Sequence, residues 1–208
     1  MAERVDAEAP GALDTAAEAA NRGDLVVLPT DTVYGLAARP DLPEGTTRVF
    51  QAKRRPRGLS LPILAPDLEA AAALAAFDGR ASALAGAFWP GGLTLVLPRT
   101  DLSRPWDLGE EGVTVGVRVP GHPVARRLLA STGPLAVTSA NRSGEPSAAT
   151  CGDAERALGD DVAVYLCAGS LPGTASTIVD LTSDRPRILR TGAVSPDDVL
   201  AALGPAGG

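Results

Sequence analysis

The sequence predicts one α/β domain built on a mixed β-sheet, and three observations predict it. Short apolar runs of strand length alternate with Ala-rich amphipathic segments along the chain. The 208 residues fit one domain of ordinary size. No Ser/Gly/Pro-rich linker or internal repeat interrupts the alternation, so a single domain over 1–208 is expected, with its core at about 10–195 and no additional C-terminal domain.

Each element follows from local pattern. Ala and Glu recur at helical spacing from Asp14 to Arg22 and stop at Gly23, and the apolar run Leu25–Leu28 then reads as a buried strand ending at Pro29. Glu44–Arg54 reads as a helix, Leu61–Leu64 as an extended run, and Asp67–Phe77 as a helix capped by Asp67. Gly79 is expected to separate it from a second helix over Ala81–Phe88. Leu93–Leu97 and Val113–Val119 read as strands, Pro123–Ala130 as a helix and Leu135–Thr138 as a strand. A helix over Asp153–Leu158 precedes extended runs at Val162–Leu166, Thr177–Leu181 and Arg187–Leu189, and a last helix covers Pro196–Leu203 before a Gly-Pro-Ala-Gly-Gly tail.

Composition narrows the function. With 19 Lys plus Arg against 25 Asp plus Glu, the net charge of −6 argues against a general nucleic-acid binder, which needs basic surface to neutralise phosphates. No apolar stretch is long enough to span a bilayer, and the acidic start MAERVDAEAP is unlike a secretion signal, so a cytoplasmic protein without membrane attachment is expected. The single histidine, His122, rules out a multi-His metal site, and no protein-caged metal is expected. His122 lies between Gly121 and Pro123, where a turn or helix-start role is expected. Cys151 and Cys167, sixteen positions apart, are expected to be reduced thiols.

No Walker, Rossmann or nucleophile-elbow motif is present. Polar residues instead gather at strand ends, where α/β sheets build sites. Thr30-Asp31-Thr32 follow the first strand and offer hydroxyls and turn amides to a ligand, or simply form an Asx/ST turn. Lys53-Arg54-Arg55-Pro56-Arg57 places four cations where Pro56 disfavours further helix, a cluster that suits polyphosphate or is a solvated helix end. Lys53 is the only lysine among the 19 basic residues, which points to a position wanting a compact ammonium. In Val113–Val119, period-two alternation puts the valines on one face and Thr114, Gly116 and Arg118 on the other, either a ligand-facing floor or a solvent-facing strand side. There Arg118 could hold a carboxylate bidentately. Val137 to Ser147 runs from a strand into a loop of small hydrogen-bonding groups, fit for an anion or a base or for an ordinary turn. Arg190 could reach a phosphate or make a surface ion pair.

In family order, the segments PTDTVYGL, AKRRP, FWPGGLTLVL, TVGVRVPGHP, TSANRSGEPS, STIVDL and ILRTGAV resemble the YrdC-like threonylcarbamoyl-AMP synthases over Leu25 to Val194. The resemblance implies an open twisted sheet with flanking helices around a deep, locally positive central cavity. It also implies synthesis of threonylcarbamoyl-AMP and pyrophosphate from L-threonine, bicarbonate and ATP, with Mg2+ entering as part of the ATP complex. Separate tRNA threonylcarbamoyl transferase proteins would then complete the modification of tRNA, with weak or no direct tRNA binding by this chain.

Carried over by position, Thr30, Arg118, Val137 (through its backbone) and Ser176 would border L-threonine. Lys53, Arg55, Arg57 (through its backbone), Thr114, Ser139, Asn141, Ser147 and Arg190 would border ATP. Lys53, Arg55, Ser139 and Asn141 would form the polar catalytic core. The chain departs from the family pattern at Leu59 and Ser60, where a cation and a proline are usual. An RNA-binding or ribosome-associated module without synthase activity, and a paralogue adenylating a different carbamate, are the competing readings; retention of the Lys-x-Arg and Ser-x-Asn pairs favours the synthase.

Overall fold

The computed structural model describes residues 2–109 and 112–204. Ten strands form one mixed sheet: β1 (Glu3–Asp6), β2 (Val26–Leu28), β3 (Gly35–Ala38), β4 (Ile63–Leu64), β5 (Leu93–Pro98), β6 (Thr114–Arg118), β7 (Leu135–Ser139), β8 (Val164–Cys167), β9 (Thr177–Asp180) and β10 (Arg187–Arg190). Their order is β1-β8-β2-β3-β7-β4-β6-β5-β9-β10. The β1–β8, β2–β8, β4–β6 and β5–β9 pairs are parallel and the other five antiparallel. The helices are α1 (Ala12–Asn21), α2 (Pro43–Lys53), α3 (Leu68–Leu74), α4 (Gly79–Phe88), α5 (Pro123–Thr132), α6 (Cys151–Leu158) and α7 (Pro196–Leu203). The α/β mixed-sheet expectation is met. Residues 205–208 of the Gly-rich tail lie outside the described residues.

Strand alternation divides the core between the two faces of the sheet. Val26, Leu28, Ala37 and Val137 pack with the alanines of α1 and with Val124, Leu128 and Leu129 of α5. Val27, Leu36 and Ala38 point the other way, into a larger cluster with Val49 and Phe50 of α2 and Ala154 and Leu158 of α6. In the far half of the sheet Leu93, Leu95, Leu97, Val115, Val117 and Val179 join that same cluster. Their alternate neighbours are left on the opposite face, which becomes the floor of the site.

Two strands were not legible in the sequence. β3, Gly-Leu-Ala-Ala, is wholly buried between β2 and β7 but carries no β-branched residue to mark it. β1 is a mostly exposed, charged edge strand whose place comes from its parallel backbone ladder to β8 rather than from apolar periodicity. The expected break at Gly79 also moves: α3 stops at Leu74 because Ala75 turns extended and bridges to Arg99, and Gly79 opens α4 under an Asp78 cap that accepts from the Ala81 N–H.

The cysteines are corrected too. Cys151, first residue of α6, and Cys167, last of β8, are joined as a disulfide with Cα atoms 5.4 Å apart, inside the normal range for a bridge. Packing of α6 against β8 brings them together. Closing a loop of 16 residues stabilises the fold by about 3 kcal/mol. Denaturant unfolding with and without reductant should differ by about that amount, and the Cys151→Ala/Cys167→Ala double variant should be insensitive to reductant. Alkylation of both thiols in unfolded, unreduced protein would overturn the pairing.

Candidate active site

A cavity of about 390 Å³ opens on the face of β7-β4-β6-β5-β9 opposite the leucine core, a volume suited to a small-molecule ligand. Thr114, Gly116 and Arg118 of β6 lie on its floor, so the polar side of this strand faces a cavity and not open solvent. Gly116 is bare for a packing reason: a Cβ there would meet Pro62 Cβ at 3.2 Å and Thr94 Cγ2 at 3.4 Å. Thr30 and Val137 also line the cavity, as do Ser139, Ser176, Arg55 and Arg190.

Arg118 is 5% exposed, and three of its five N–H groups are bonded within the protein. Nη2 donates to Asp31 Oδ1 at 2.7 Å, Nη1 to Thr32 Oγ1 at 3.0 Å and Nε to the Gly91 carbonyl at 2.8 Å. Asp31 Oδ1 also accepts the Gly121 N–H at 2.8 Å. The carboxylate that Arg118 holds here is thus the protein's own, and its remaining N–H groups are those left for a ligand. Burial weighs against the charge of Arg118, and Asp31 supports it.

Thr30 is more constrained than its motif suggested. Its hydroxyl donates to the Val33 carbonyl at 2.6 Å and accepts the Thr32 and Val33 N–H groups, each at 3.2 Å, which is the ST turn of the plainer reading. Val137 has its N–H spent on the Pro62 carbonyl at 2.9 Å, so it offers the cavity a wall and no free N–H.

Lys53 and Arg55 diverge because Arg54, the residue between them, takes a left-handed conformation (φ 50°) that ends α2. Arg55 turns to the cavity, donating from Nε to the Leu59 carbonyl at 2.7 Å and from Nη2 to the Ser60 carbonyl at 3.1 Å. The departing residues Leu59 and Ser60 are therefore anchored by Arg55 through their backbones, and both line the cavity. Lys53 stays behind the wall, 1% exposed. Its ammonium donates to the Ser139 carbonyl at 2.5 Å and to the Asn141 carbonyl, tying α2 to the end of β7. Burial first, then the charge of Arg55, lowers its pKa to about 8.

Arg57, Asn141 and Ser147 do not line the cavity, although Gly58 beside Arg57 does. Arg57 pairs with Asp107 and stacks 4.7 Å over the Phe50 ring. Asn141 Nδ2 bridges the carbonyls of Arg142 and Glu145 at 2.8 and 2.7 Å, holding the turn that follows Ser139. His122 caps α5, its Nδ1 accepting the Val124 N–H at 3.2 Å, which is the helix-start role its neighbours suggested.

Sequence reasoning missed Thr94, and it named Asp31 and Thr32 only as part of the turn after β2, without their bonds to Arg118. For Thr94 a signal existed: in Leu93–Leu97 the leucines alternate with Thr94 and Val96, so the same period that marks β5 as buried assigns Thr94 to the cavity.

Among the described lining residues there are three arginines and no carboxylate, histidine or lysine. Each guanidinium has its pKa lowered, first by burial, and Arg55 and Arg118 also by the charge of Arg190. A locally cationic pocket in a chain of net charge −6 selects an anionic small molecule. It carries no group suited to act as general base, so its chemistry rests on charge neutralisation and positioning. No group of three or more His, Cys, Asp and Glu side chains is arranged to hold a metal ion among the described residues.

Comparison with known proteins agrees with this architecture. Residues 18–192 match the Sua5_yciO_yrdC family model, described as Telomere recombination. A Mycobacterium tuberculosis (strain H37Rv) protein provisionally named as a threonylcarbamoyl-AMP synthase is 43% identical over 91% of this chain and 88% of its own length. The threonylcarbamoyl-AMP synthase of Chromohalobacter salexigens is 38% identical over 81% of this chain and 91% of its own. The crystal structure of P. abyssi Sua5 complexed with L-threonine superposes with a TM-score of 0.88 at 31% identity, covering 98% of this chain and 61% of that one. With the family model spanning most of the chain and the fold shared along nearly all of it, the chain belongs to the Sua5/YciO/YrdC family.

Proposed function

We propose that the protein is a threonylcarbamoyl-AMP synthase, joining L-threonine, bicarbonate and ATP. The observation that carries this reading is the cavity wall of Arg55, Arg118 and Arg190 without a carboxylate, in a chain similar to named synthases. Threonine and bicarbonate give the N-carboxylated amino acid and water. A carbamate oxygen then bonds to the α-phosphorus of ATP while the bond to the bridging oxygen breaks and pyrophosphate leaves. Two anions must approach each other for this, and the guanidiniums neutralise the charge that gathers between them.

In this reading Arg118 faces the amino acid, whose carboxylate takes the N–H groups that Asp31 and Thr32 leave free. Arg55 and Arg190 face the phosphates, with Ser139 and Thr114 beside them. Lys53 and Asn141 act from behind, holding the Ser139 to Glu145 turn in place. Mg2+ arrives on the phosphates of ATP, in keeping with a lining that offers hydroxyls and no carboxylate to a cation. The product would pass to tRNA-modifying transferase proteins in the cytoplasm, and the net charge of −6 suits an enzyme that leaves tRNA binding to them.

The test is mass spectrometry of purified protein with ATP, Mg2+, bicarbonate and L-threonine, omitting one component at a time. Threonylcarbamoyl-AMP and pyrophosphate should form only in the complete mixture. Product with another amino acid and none with threonine would replace this reading by the paralogue. No product from folded protein would overturn it and leave an RNA-binding module as the alternative.

A further inference from the structure

Thr94, which has no place in the proposed assignment, is paired on the cavity wall with Ser176, which the resemblance sets beside L-threonine. Thr94 of β5 and Ser176, just before β9, are 5% and 6% exposed, and their hydroxyl oxygens lie 2.9 Å apart. Arg190 clamps Ser176, its Nη2 donating to Oγ at 3.0 Å and its Nε to the backbone carbonyl at 2.9 Å. No other partner is found for either hydroxyl among the described residues.

Counting protons decides what this means. The pair owns two O–H hydrogens, and one is spent on the bond between them. Arg190 supplies its own hydrogen and accepts none. If Ser176 donates to Thr94, the Thr94 hydrogen is free; if Thr94 donates, the Ser176 hydrogen is free. Donation from Arg190 to Ser176 Oγ polarises the Ser176 O–H and favours its donation to Thr94, so the Thr94 hydrogen is the one left free, and both side chains line the cavity. Its donation is strengthened by the cation at the head of the chain.

The pair is also held still. Thr94 is β-branched and stiff at χ1, and its methyl group lies over bare Gly116, 3.4 Å from where a Cβ would be. The backbone at Ser176 is pressed by Gly192, where a Cβ would come within 2.1 Å of the Ala175 carbonyl oxygen and 2.6 Å of the Ser176 carbonyl carbon. The free hydrogen therefore has a fixed origin, on the side of the floor shared with Arg118.

We infer that Thr94 is a positioning residue for the amino-acid substrate, acting with Ser176 to present one hydroxyl hydrogen to an acceptor oxygen of the bound amino acid. This rests on the synthase reading. Arg190 then serves both substrates, with one edge on Ser176 and its other N–H groups free for phosphate.

Thr94→Val keeps the shape and the methyl contact and removes the hydroxyl. It should raise KM for L-threonine about tenfold, the cost of one hydrogen bond in a dry site, with KM for ATP unchanged and kcat within about threefold. Thr94→Ser, which keeps the hydroxyl, should restore KM for L-threonine. Calorimetric titration of L-threonine into each variant gives the same comparison without turnover. A merely structural role would move both KM values or the thermal midpoint together, and that result would overturn the inference. Wild-type protein that makes product alongside an unaltered Thr94→Val would also overturn it, leaving the synthase reading intact. Wild-type protein that neither binds L-threonine nor makes product would remove that reading, and this inference with it.

Discussion

Arg118→Met is expected to reduce product formation by about 10²–10³-fold and to lower stability by about 3 kcal/mol, because one side chain serves both the ligand and the fold. The stability loss comes from stranding Asp31. Its carboxylate, only 24% exposed, keeps the Gly121 N–H but loses the guanidinium 2.7 Å away. The activity loss comes from the cavity floor, where Arg118 is the cation that faces the amino acid in the proposed reading. The two effects separate in a double variant. Arg118→Met/Asp31→Asn removes the orphaned charge and should recover most of the stability, as measured by denaturant unfolding, with no recovery of activity. If activity returns with stability, Arg118 is a structural residue and the floor reading of β6 is wrong.

The same strand shows what the sequence could reveal. Period two in Val113–Val119 separated Val115 and Val117, which enter the core, from Thr114, Gly116 and Arg118, which line the cavity, because a sheet with one buried side leaves little freedom in register. It failed for Val113, which precedes β6 and is 77% exposed. The start of α3 was equally legible, because Asp67 caps it, whereas the Ser195 cap of α7 and the Thr150/Asp153 capping box went unread and α6 begins at Cys151, two residues before its expected start. β3 was hidden because burial, not β-propensity, holds Gly35–Ala38 extended between its neighbours. The Cys151–Cys167 pair was hidden because spacing says nothing of which helix end meets which strand end. In the site, residue type was visible and direction was not. Lys53 and Arg55 look alike as a basic cluster, yet the left-handed turn at Arg54 sends one to the cavity and the other beneath it. Thr30 reads as a ligand hydroxyl until the Val33 carbonyl is seen to take its hydrogen.

Lys53 carries the second large effect, and pH reveals it. Its ammonium, with a pKa near 8 rather than the usual 10.5, supports the Ser139 and Asn141 carbonyls from behind the wall. Lys53→Met should lower kcat/KM about 10²-fold by loosening that turn and removing a positive charge beside Arg55. Wild-type activity should fall as pH rises through about 8, while the Lys53→Met variant, already low, should be flat from pH 7 to 9. Stability moves the other way. The folded-state pKa lies below the unfolded one, so between about 8 and 10.5 the unfolded chain holds a proton the folded chain has released. The Lys53 contribution to stability therefore rises across that window, by on the order of 3 kcal/mol in full. Subtracting the Lys53→Met unfolding free energy from that of wild type at each pH isolates it from other titrating groups. Activity lost above pH 8 while this difference grows cannot come from unfolding and must come from the charge itself. Activity that stays level to pH 9.5, or that falls only as the protein melts, would show that the neutral amine serves as well and that Lys53 is a tie between α2 and β7 and nothing more.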